Sequence, residues 1–164
     1  MQRPDSVWFA QEPVEVFLDE SYGQILYFPQ MKTIFVEMIG AFSHMQYRQV
    51  YTYTYELLVQ LQACACIASQ SRSFGSSFQD RSWLINHLVP LLSQAFPTPD
   101  FMIIGIKDSN NNTKRWIADF LERSLRLLAP FSVLSATSFD DAMLIIQERL
   151  SSDSWRTNDY RKAK

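Results

Sequence analysis

The sequence predicts an α/β protein with a mixed sheet, in which an antiparallel N-terminal hairpin is followed by parallel β-α-β units. Three short runs of strand-forming residues come first, at 14–18, 25–28 and 33–39. Helical and strand patterns then alternate along the chain, which is typical of parallel strands joined by right-handed crossovers. The segment 63–68 is small and apolar throughout, as a central strand covered on both faces would be.

The first three strands are separated by turn-forming residues. A turn is expected at 19–23, and Pro29 lies between the second and third strands. Gly40 ends the third strand, and Ser43 is expected to cap a helix over 44–62. The face that this helix is expected to bury carries residues at helical spacing: Tyr47, Val50, Tyr51, Thr54, Leu57, Leu58 and Leu61.

A loop is predicted directly after the central strand, at 69–77, where five of nine residues are serine. Ser77 and Asp80 have the spacing of a capping box, so a helix is expected to begin there. Pro90 should kink or divide that helix, because proline lacks an amide hydrogen and clashes with the preceding turn.

The same alternation continues to the last helix. A buried strand is predicted at 101–106, and Thr113 is expected to cap the helix that follows the next turn. A short strand at 131–134 comes next. Ser138 begins a second capping box, and its helix is expected to run to about Leu150.

The chain is expected to be one domain at 1–150 followed by a tail, because 164 residues fit a single domain. The tail at 151–164 is polar, lacks an apolar stripe, and is predicted to be disordered.

The net charge is −2 with both signs interspersed, so neither nucleic acid nor an anionic membrane is an expected partner. No apolar run approaches the roughly 20 residues of a membrane span, and the N-terminus lacks a signal-peptide pattern. A cytoplasmic location is therefore predicted.

No cofactor, metal or catalytic centre is predicted. The chain has only four glycines, which argues against a glycine-rich phosphate loop. Cys64 and Cys66 are interpreted as reduced core thiols on one face of a strand. They could bind a soft metal together with His87, but a structural zinc site requires four ligands and a Cys-x2-4-Cys spacing. For nucleophilic catalysis, His44 or His87 would need an activated Ser or Cys and an orienting acid beside it, and the chain has no nucleophile-elbow sequence, so the protein is not expected to be an enzyme.

Three short motifs carry a resemblance to a known family. They are a strand–Gly–aromatic–Ser segment at 38–43, an acid-x-x-Trp at 80–83 followed by the helical Pro90, and Phe–acid–x–Ala at 139–142. Over about 14–150 the chain thereby resembles the STAS-like (SpoIIAA-like) domains that occur as small stand-alone bacterial proteins. The resemblance implies a SpoIIAA-like fold and a non-enzymatic protein-interaction or regulatory module with an as yet unidentified protein partner.

The chain departs from this family's pattern at two places. The related stand-alone proteins usually carry Trp two residues before the glycine and Asp at the end of the central strand, where this chain has Met38 and Ser69. The phosphorylated members, the anti-sigma-factor antagonists, have an Asp-Ser-Ser/Thr/Gly-Gly-type motif before the second helix. The loop at 69–77 does not contain that motif.

Ser76 and Ser77 are the candidate interaction or phosphorylation residues. A phosphate at the N-terminus of a helix is stabilised by free backbone amides and by the helix dipole. The alternative is that Ser77 only caps its helix and that the other serines are a solvated loop.

Trp83, His87 and Trp116 are the candidate lining of a pocket at the carboxyl edge of the parallel strands, where open α/β sheets tend to bind ligands. An alternative function is therefore a small-molecule-binding sensor domain with an apolar pocket near Trp83 and Trp116. The N-terminal hairpin could also pair across a homodimer.

Overall fold

The computed structural model describes residues 6, 8–107 and 112–159, without the side chains of residues 10, 11, 112–117 and 153–159. Its sheet has six strands: β1 (Glu15–Glu20), β2 (Gly23–Phe28), β3 (Thr33–Met38), β4 (Ala65–Ser69), β5 (Met102–Ile106) and β6 (Ser132–Ala136). The strands lie side by side in chain order. β1, β2 and β3 pair antiparallel, and β3 to β6 pair parallel. The predicted fold class, an α/β mixed sheet with an antiparallel N-terminal hairpin, is confirmed.

Helices connect the parallel strands and flank the sheet. They are α1 (Trp8–Gln11), α2 (His44–Gln60), α3 (Phe78–Trp83), a π-helical segment (Leu84–Leu88), α4 (Val89–Ala95), α5 (Asn112–Leu128) and α6 (Phe139–Asp159). Crossovers between adjacent parallel strands share one hand, so α2, the π-helical segment, α4 and α5 all lie on the same face of the sheet. α6 returns across the opposite face.

Each face of the sheet has its own apolar core. On the face covered by α2, α4 and α5, Val36 and Cys66 of the sheet pack with Tyr47 and Leu92 of the helices. On the other face, Phe139 at the start of α6 is the centre of an aromatic cluster, and its ring centroid lies 5.1 to 5.5 Å from three other phenylalanines. These are Phe9, Phe28 and Phe35.

Local signals place the helix starts where the sequence predicts them. Ser43 caps α2 and Ser77 caps α3, each in a complete capping box. Before Pro90 the helix changes to a π-helical segment, and α4 then begins at Val89. This division is expected, because proline has no amide hydrogen to continue the helical hydrogen bonds.

Several boundaries differ from the predicted ones. α2 ends at Gln60 because Gln62 adopts a left-handed conformation with φ of 50°. α6 continues to Asp159, past the predicted end near Leu150. The side chain of Thr113 and residues 160–164 lie outside the described part of the chain. The domain limit at 150 and the disorder of the tail stay predictions.

The two cysteines lie on different faces of the sheet, contrary to the prediction of a shared face. Cys66 belongs to the core under the helices that connect the strands, whereas Cys64 packs against the core under α6. Cys64 precedes β4, so the alternation of side chains along that strand does not extend to it.

Candidate functional site

A buried carboxylate organises the carboxyl edge of the two central strands. Glu37 in β3 is only 2% exposed and lies opposite Ser69 in the parallel register of β3 and β4. Its Oε1 accepts from the hydroxyls of Ser69 (3.0 Å) and Ser71 (3.2 Å). Its Oε2 accepts from Gln24 Nε2 (3.0 Å) and from Arg72 Nε (2.9 Å) and Nη2 (2.6 Å). One carboxylate thus binds three side chains at the start of the serine-rich loop.

The same loop is also held by backbone hydrogen bonds to the end of β3. The Gly40 amide donates to the Arg72 carbonyl (2.9 Å), and the Phe74 amide donates to the Gly40 carbonyl (3.0 Å). Gly40 and Gly75 both have positive φ, 58° and 98°, which favours glycine at these two turns. The loop therefore has a defined path up to Phe74.

Three large apolar side chains project from this edge into solvent. Phe74 of the loop is 85% exposed, Phe78 at the start of α3 is 74% exposed, and Met45 in the first turn of α2 is 76% exposed. The segments that carry them are joined, because Phe74 is bonded to Gly40 and because His44 is bonded to Asp80. Met45, Phe74 and Phe78 are called the apolar loop surface below.

Asp80 ties the first turns of α2 and α3 together. His44 Nδ1 lies 2.6 Å from Asp80 Oδ1, and Ser77 Oγ donates to Asp80 Oδ2 at 2.7 Å. Burial alone would raise the pKa of Asp80, but the hydrogen bonds from His44 and Ser77 outweigh it, so the pKa lies below its ordinary value. A hydrolytic triad needs the histidine between the acid and the serine, whereas here the acid is in the middle. The arrangement stabilises two helix starts and does not activate Ser77.

The two candidate serines occupy different environments. Ser77 is exposed, and its hydroxyl accepts from the Asp80 amide (3.1 Å), as a cap does. Ser76 is 7% exposed, and its hydroxyl is buried with no hydrogen-bond partner among the described residues. The Ser76 carbonyl accepts from the guanidinium of Arg81.

Of the three candidate pocket residues, Trp83 and His87 lie side by side, and a pocket that they share with Trp116 stays a prediction. Trp83 is half-buried between Tyr47 and the exposed His87, at ring-centroid distances of 6.4 and 5.6 Å. Trp116 lies on α5, but its side chain is outside the described residues. A cavity does lie nearby, between the sheet and α5, but neither Trp83 nor His87 is among the described residues that line it.

The three side chains that a soft-metal site would combine, Cys64, Cys66 and His87, lie apart. Cys64 Sγ donates to the Met31 carbonyl at 3.2 Å, Cys66 is buried in the core on the opposite face of the sheet, and the tilted His87 ring lies beside Trp83. Burial raises the pKa of the Cys66 thiol to about 12. Among the described residues, no group of three His, Cys, Asp or Glu side chains is placed to hold a metal ion.

Sequence reasoning did not identify Glu37 or the apolar loop surface. The sequence does give an indication that Phe74 is exposed, because an aromatic residue inside a serine-rich loop belongs to no strand or helix with a buried face. Phe78 directly follows the cap Ser77 at the start of α3. Asp80, two residues later, is the buried residue of this turn, so the Phe78 side chain is expected on the opposite, solvent-facing side of the helix. For Glu37, a lone acid in an otherwise apolar strand is the available signal, since a buried carboxylate requires partners.

Comparisons with known proteins give one structural likeness. No family model matches the chain, and no curated protein matches its sequence. A solved structure of apo-SiaC from Pseudomonas aeruginosa matches with a TM-score of 0.48 and 12% identity, over 76% of this chain and 99% of that one. Values this low do not transfer a function to this chain. Within the described residues, no helix is long and apolar enough to cross a membrane.

Proposed function

We propose that this protein is a non-enzymatic, regulatory protein-interaction module that binds a partner through the apolar loop surface. The observation that carries the proposal is Phe74, a large aromatic side chain that is 85% exposed on a loop held in place by Glu37 and Gly40. The resemblance of the sequence motifs to STAS-like domains supports the same class of function.

A rigid loop favours binding because little conformational entropy is lost when a partner arrives. The backbone bonds at Gly40 and the side-chain bonds at Glu37 hold the residues on the N-terminal side of Phe74. The Ser77 and Asp80 cap holds those on its C-terminal side. Aromatic anchors held in this way are the residue type that most often dominates the binding energy of an interface.

The charges beside the apolar loop surface favour an acidic partner. The carboxylates below it, Glu37 and Asp80, are buried and hydrogen-bonded. Arg48 lies 5.6 Å over the Trp83 ring and Arg81 binds a carbonyl, and neither forms an ion pair with a described residue. We therefore propose that the partner segment is apolar at its centre and carries Asp or Glu at its rim.

The exposed hairpin edge is less suited to pairing between two copies. β1 contains a bulge between Val16 and Leu18, and Glu15, Asp19 and Glu20 lie along the strand. Bulges and charges on an edge strand disfavour strand-to-strand association. A different protein is accordingly the proposed partner, in preference to a homodimer formed through this edge.

Phosphorylation of Ser76 or Ser77 would regulate this surface by disrupting it. A phosphate on Ser77 would place about two negative charges against the buried Asp80 carboxylate, whose Oδ2 the hydroxyl now contacts at 2.7 Å. The repulsion would open the first turn of α3 and displace Phe78. Ser76 would first have to leave its buried position, which makes Ser77 the preferred acceptor.

The test is site-specific photocrosslinking in the cells that naturally produce the protein. A crosslinking amino acid is placed at Phe74 and, as a matched control, at Leu127 of α5, which is 86% exposed and lies outside the apolar loop surface. A discrete crosslinked protein at position 74 that is absent at position 127 is the expected result. Identical products at both positions, or no product at 74, would contradict the proposal.

The non-enzymatic part of the proposal has its own test. Purified protein is assayed against a broad panel of ester, amide, phosphate and glycoside substrates. We expect no turnover above buffer. Turnover that is lost in Ser77→Ala but retained in the surface control Leu127→Ala would establish an enzyme instead.

A further inference from the structure

A cavity of about 160 Å³ lies between the sheet and the helices on the side of α2, the π-helical segment and α5. Its walls are mostly apolar side chains, drawn from helices on this side of the sheet and from the strands β4 to β6, and they include Leu88, Leu92, Ile103, Leu121 and Val133. An apolar cavity of about 150 Å³ can hold one benzene-sized molecule. The space is thus large enough for one small ring.

One polar group in this wall has no partner. Tyr47 is fully buried and lines the cavity, and its hydroxyl makes no hydrogen bond to any described residue. Its neighbour Tyr51 differs, because Tyr51 Oη accepts from Gln70 Nε2 at 3.4 Å. Burial and the nearby Tyr51 raise the pKa of Tyr47 well above its ordinary value, and the Gln70 side chain near the ring offsets only part of this rise, so the hydroxyl is protonated and able to donate. An unpaired buried hydroxyl is costly unless something else bonds to it.

The charged groups at the wall do not favour a charged ligand. Lys107 Nζ lies 2.6 Å from both Asp119 Oδ1 and Glu122 Oε2, and Arg126 Nη2 lies 2.5 Å from Glu122 Oε1. The two basic side chains are thus already ion-paired with the two acidic ones. An ion entering the cavity would lose its hydration without gaining a free counter-charge.

We propose that this cavity binds a small neutral molecule, the size of one aromatic ring, whose single polar group pairs with the Tyr47 hydroxyl. Phenols are the chemical class that fits, because they combine an apolar ring with one hydroxyl. None of Met45, Phe74 and Phe78 is among the described residues that line the cavity, so it is a second binding function beside the apolar loop surface, and Trp83 is not among those lining residues either.

The test compares phenol with benzene on the intact protein. Methyl-labelled protein is titrated with each compound, and the NMR shifts of Leu88, Ile103 and Leu121 are followed. Saturable shifts of these methyls with both compounds are expected, while Leu127, exposed on α5, should not respond. In Tyr47→Phe, phenol should bind about tenfold more weakly, and benzene should stay within about twofold of the natural protein.

A variant that fills the cavity provides the second arm. Ala118 of α5 lines the cavity, and Ala118→Leu adds three carbon atoms into it. Binding of both compounds should fall at least tenfold in this variant. The proposal is overturned if the natural protein shows no saturable shifts, if filling the cavity leaves binding unchanged, or if Tyr47→Phe affects phenol and benzene equally.

Discussion

His44 and Asp80 join two helices that are far apart in the sequence, through a 2.6 Å contact between Nδ1 and Oδ1. The Asp80 side chain is only 4% exposed, whereas that of His44 is 52% exposed, so the acid is the buried partner. Since Asp80 also completes the Ser77 capping box, one carboxylate stabilises the start of α3 and anchors it to α2.

The Asp80→Asn variant tests this anchor. We expect it to lower the free energy of unfolding by about 1–3 kcal/mol at pH 7, because hydrogen bonds to a charged group are replaced by weaker ones. Urea denaturation measures the change, with Glu148→Gln on the exposed face of α6 as control.

The stabilisation by Asp80 should depend on pH. Folding lowers the pKa of Asp80, so its contribution to the free energy of unfolding is present above its ordinary pKa of 3.8 and is lost as the pH falls through the folded value. The difference between the two proteins should therefore shrink below about pH 3.8.

Glu37→Gln should loosen the serine-rich loop. The variant removes the ion pair between Glu37 and Arg72 at a buried carboxylate, and we expect a loss of about 2 kcal/mol in the free energy of unfolding. Amide hydrogen exchange should accelerate at Phe74, whose amide is bonded to the Gly40 carbonyl. The control is Glu56→Gln on the exposed face of α2. Unchanged exchange at Phe74 would mean that the backbone bonds alone hold the loop.

Ser76→Ala and Ser77→Ala should have opposite effects on stability. Ser77→Ala removes a helix cap and should cost about 1 kcal/mol. Ser76→Ala removes a buried hydroxyl that no described residue satisfies, so it should be neutral or stabilising by up to about 1 kcal/mol. Thermal denaturation of both variants side by side decides this. If Ser76→Ala is the more damaging of the two, the buried position of Ser76 is wrong.

Phe74→Ser and Phe139→Ala distinguish a binding aromatic residue from a packing one. Phe74→Ser should change stability by less than about 0.5 kcal/mol, because the side chain is already in solvent. Phe139→Ala should cost about 3–5 kcal/mol, because it empties the centre of an aromatic cluster. Denaturant unfolding gives both values. A Phe74 variant that is as unstable as the Phe139 variant would show that Phe74 is part of the core.

Cys66 should resist alkylation in the folded protein. Burial raises the pKa of its thiol to about 12, so almost none of it is thiolate at pH 8, and the sulfur is covered as well. Mass spectrometry after iodoacetamide treatment should find Cys66 unmodified until the protein unfolds in urea. Cys64, which is only partly buried, serves as the internal comparison. Rapid modification of Cys66 in native protein would contradict the packing of β4.

The features predicted from sequence are those encoded within a few residues. Ser77 and Asp80 are three positions apart, and Pro90 acts on its own turn, so each effect is visible in a short window. Alternation of strand and helix patterns likewise predicts the parallel sheet, because the crossover rule converts local patterns into topology.

The features that sequence analysis missed depend on contacts between distant segments. Glu37 meets Ser69 only because β3 and β4 pair in one particular register, across a separation of 32 residues. The exposure of Phe74 depends on how Gly40 positions the loop, and the separation of Cys64 from Cys66 depends on where β4 begins. A single sequence does not contain the register, so it can indicate that Glu37 needs partners and that Phe74 has no helix or strand face to pack on, but not which residues surround them.

The strand order of this sheet has a consequence for synthesis on the ribosome. Each strand pairs with the one that precedes it in the chain, so every new strand emerges beside a partner that has already been made. In a sheet whose central strand is synthesised late, the earlier strands on either side of it cannot complete their pairing until it emerges. In this sheet each new strand can pair at once with the strand before it. The exception is the face beneath α6, where Phe35 has no contact with the Phe139 ring until Phe139 leaves the exit tunnel, while Phe28 is contacted earlier by Phe9 of α1. During translation that face is the part of the molecule most in need of chaperone protection.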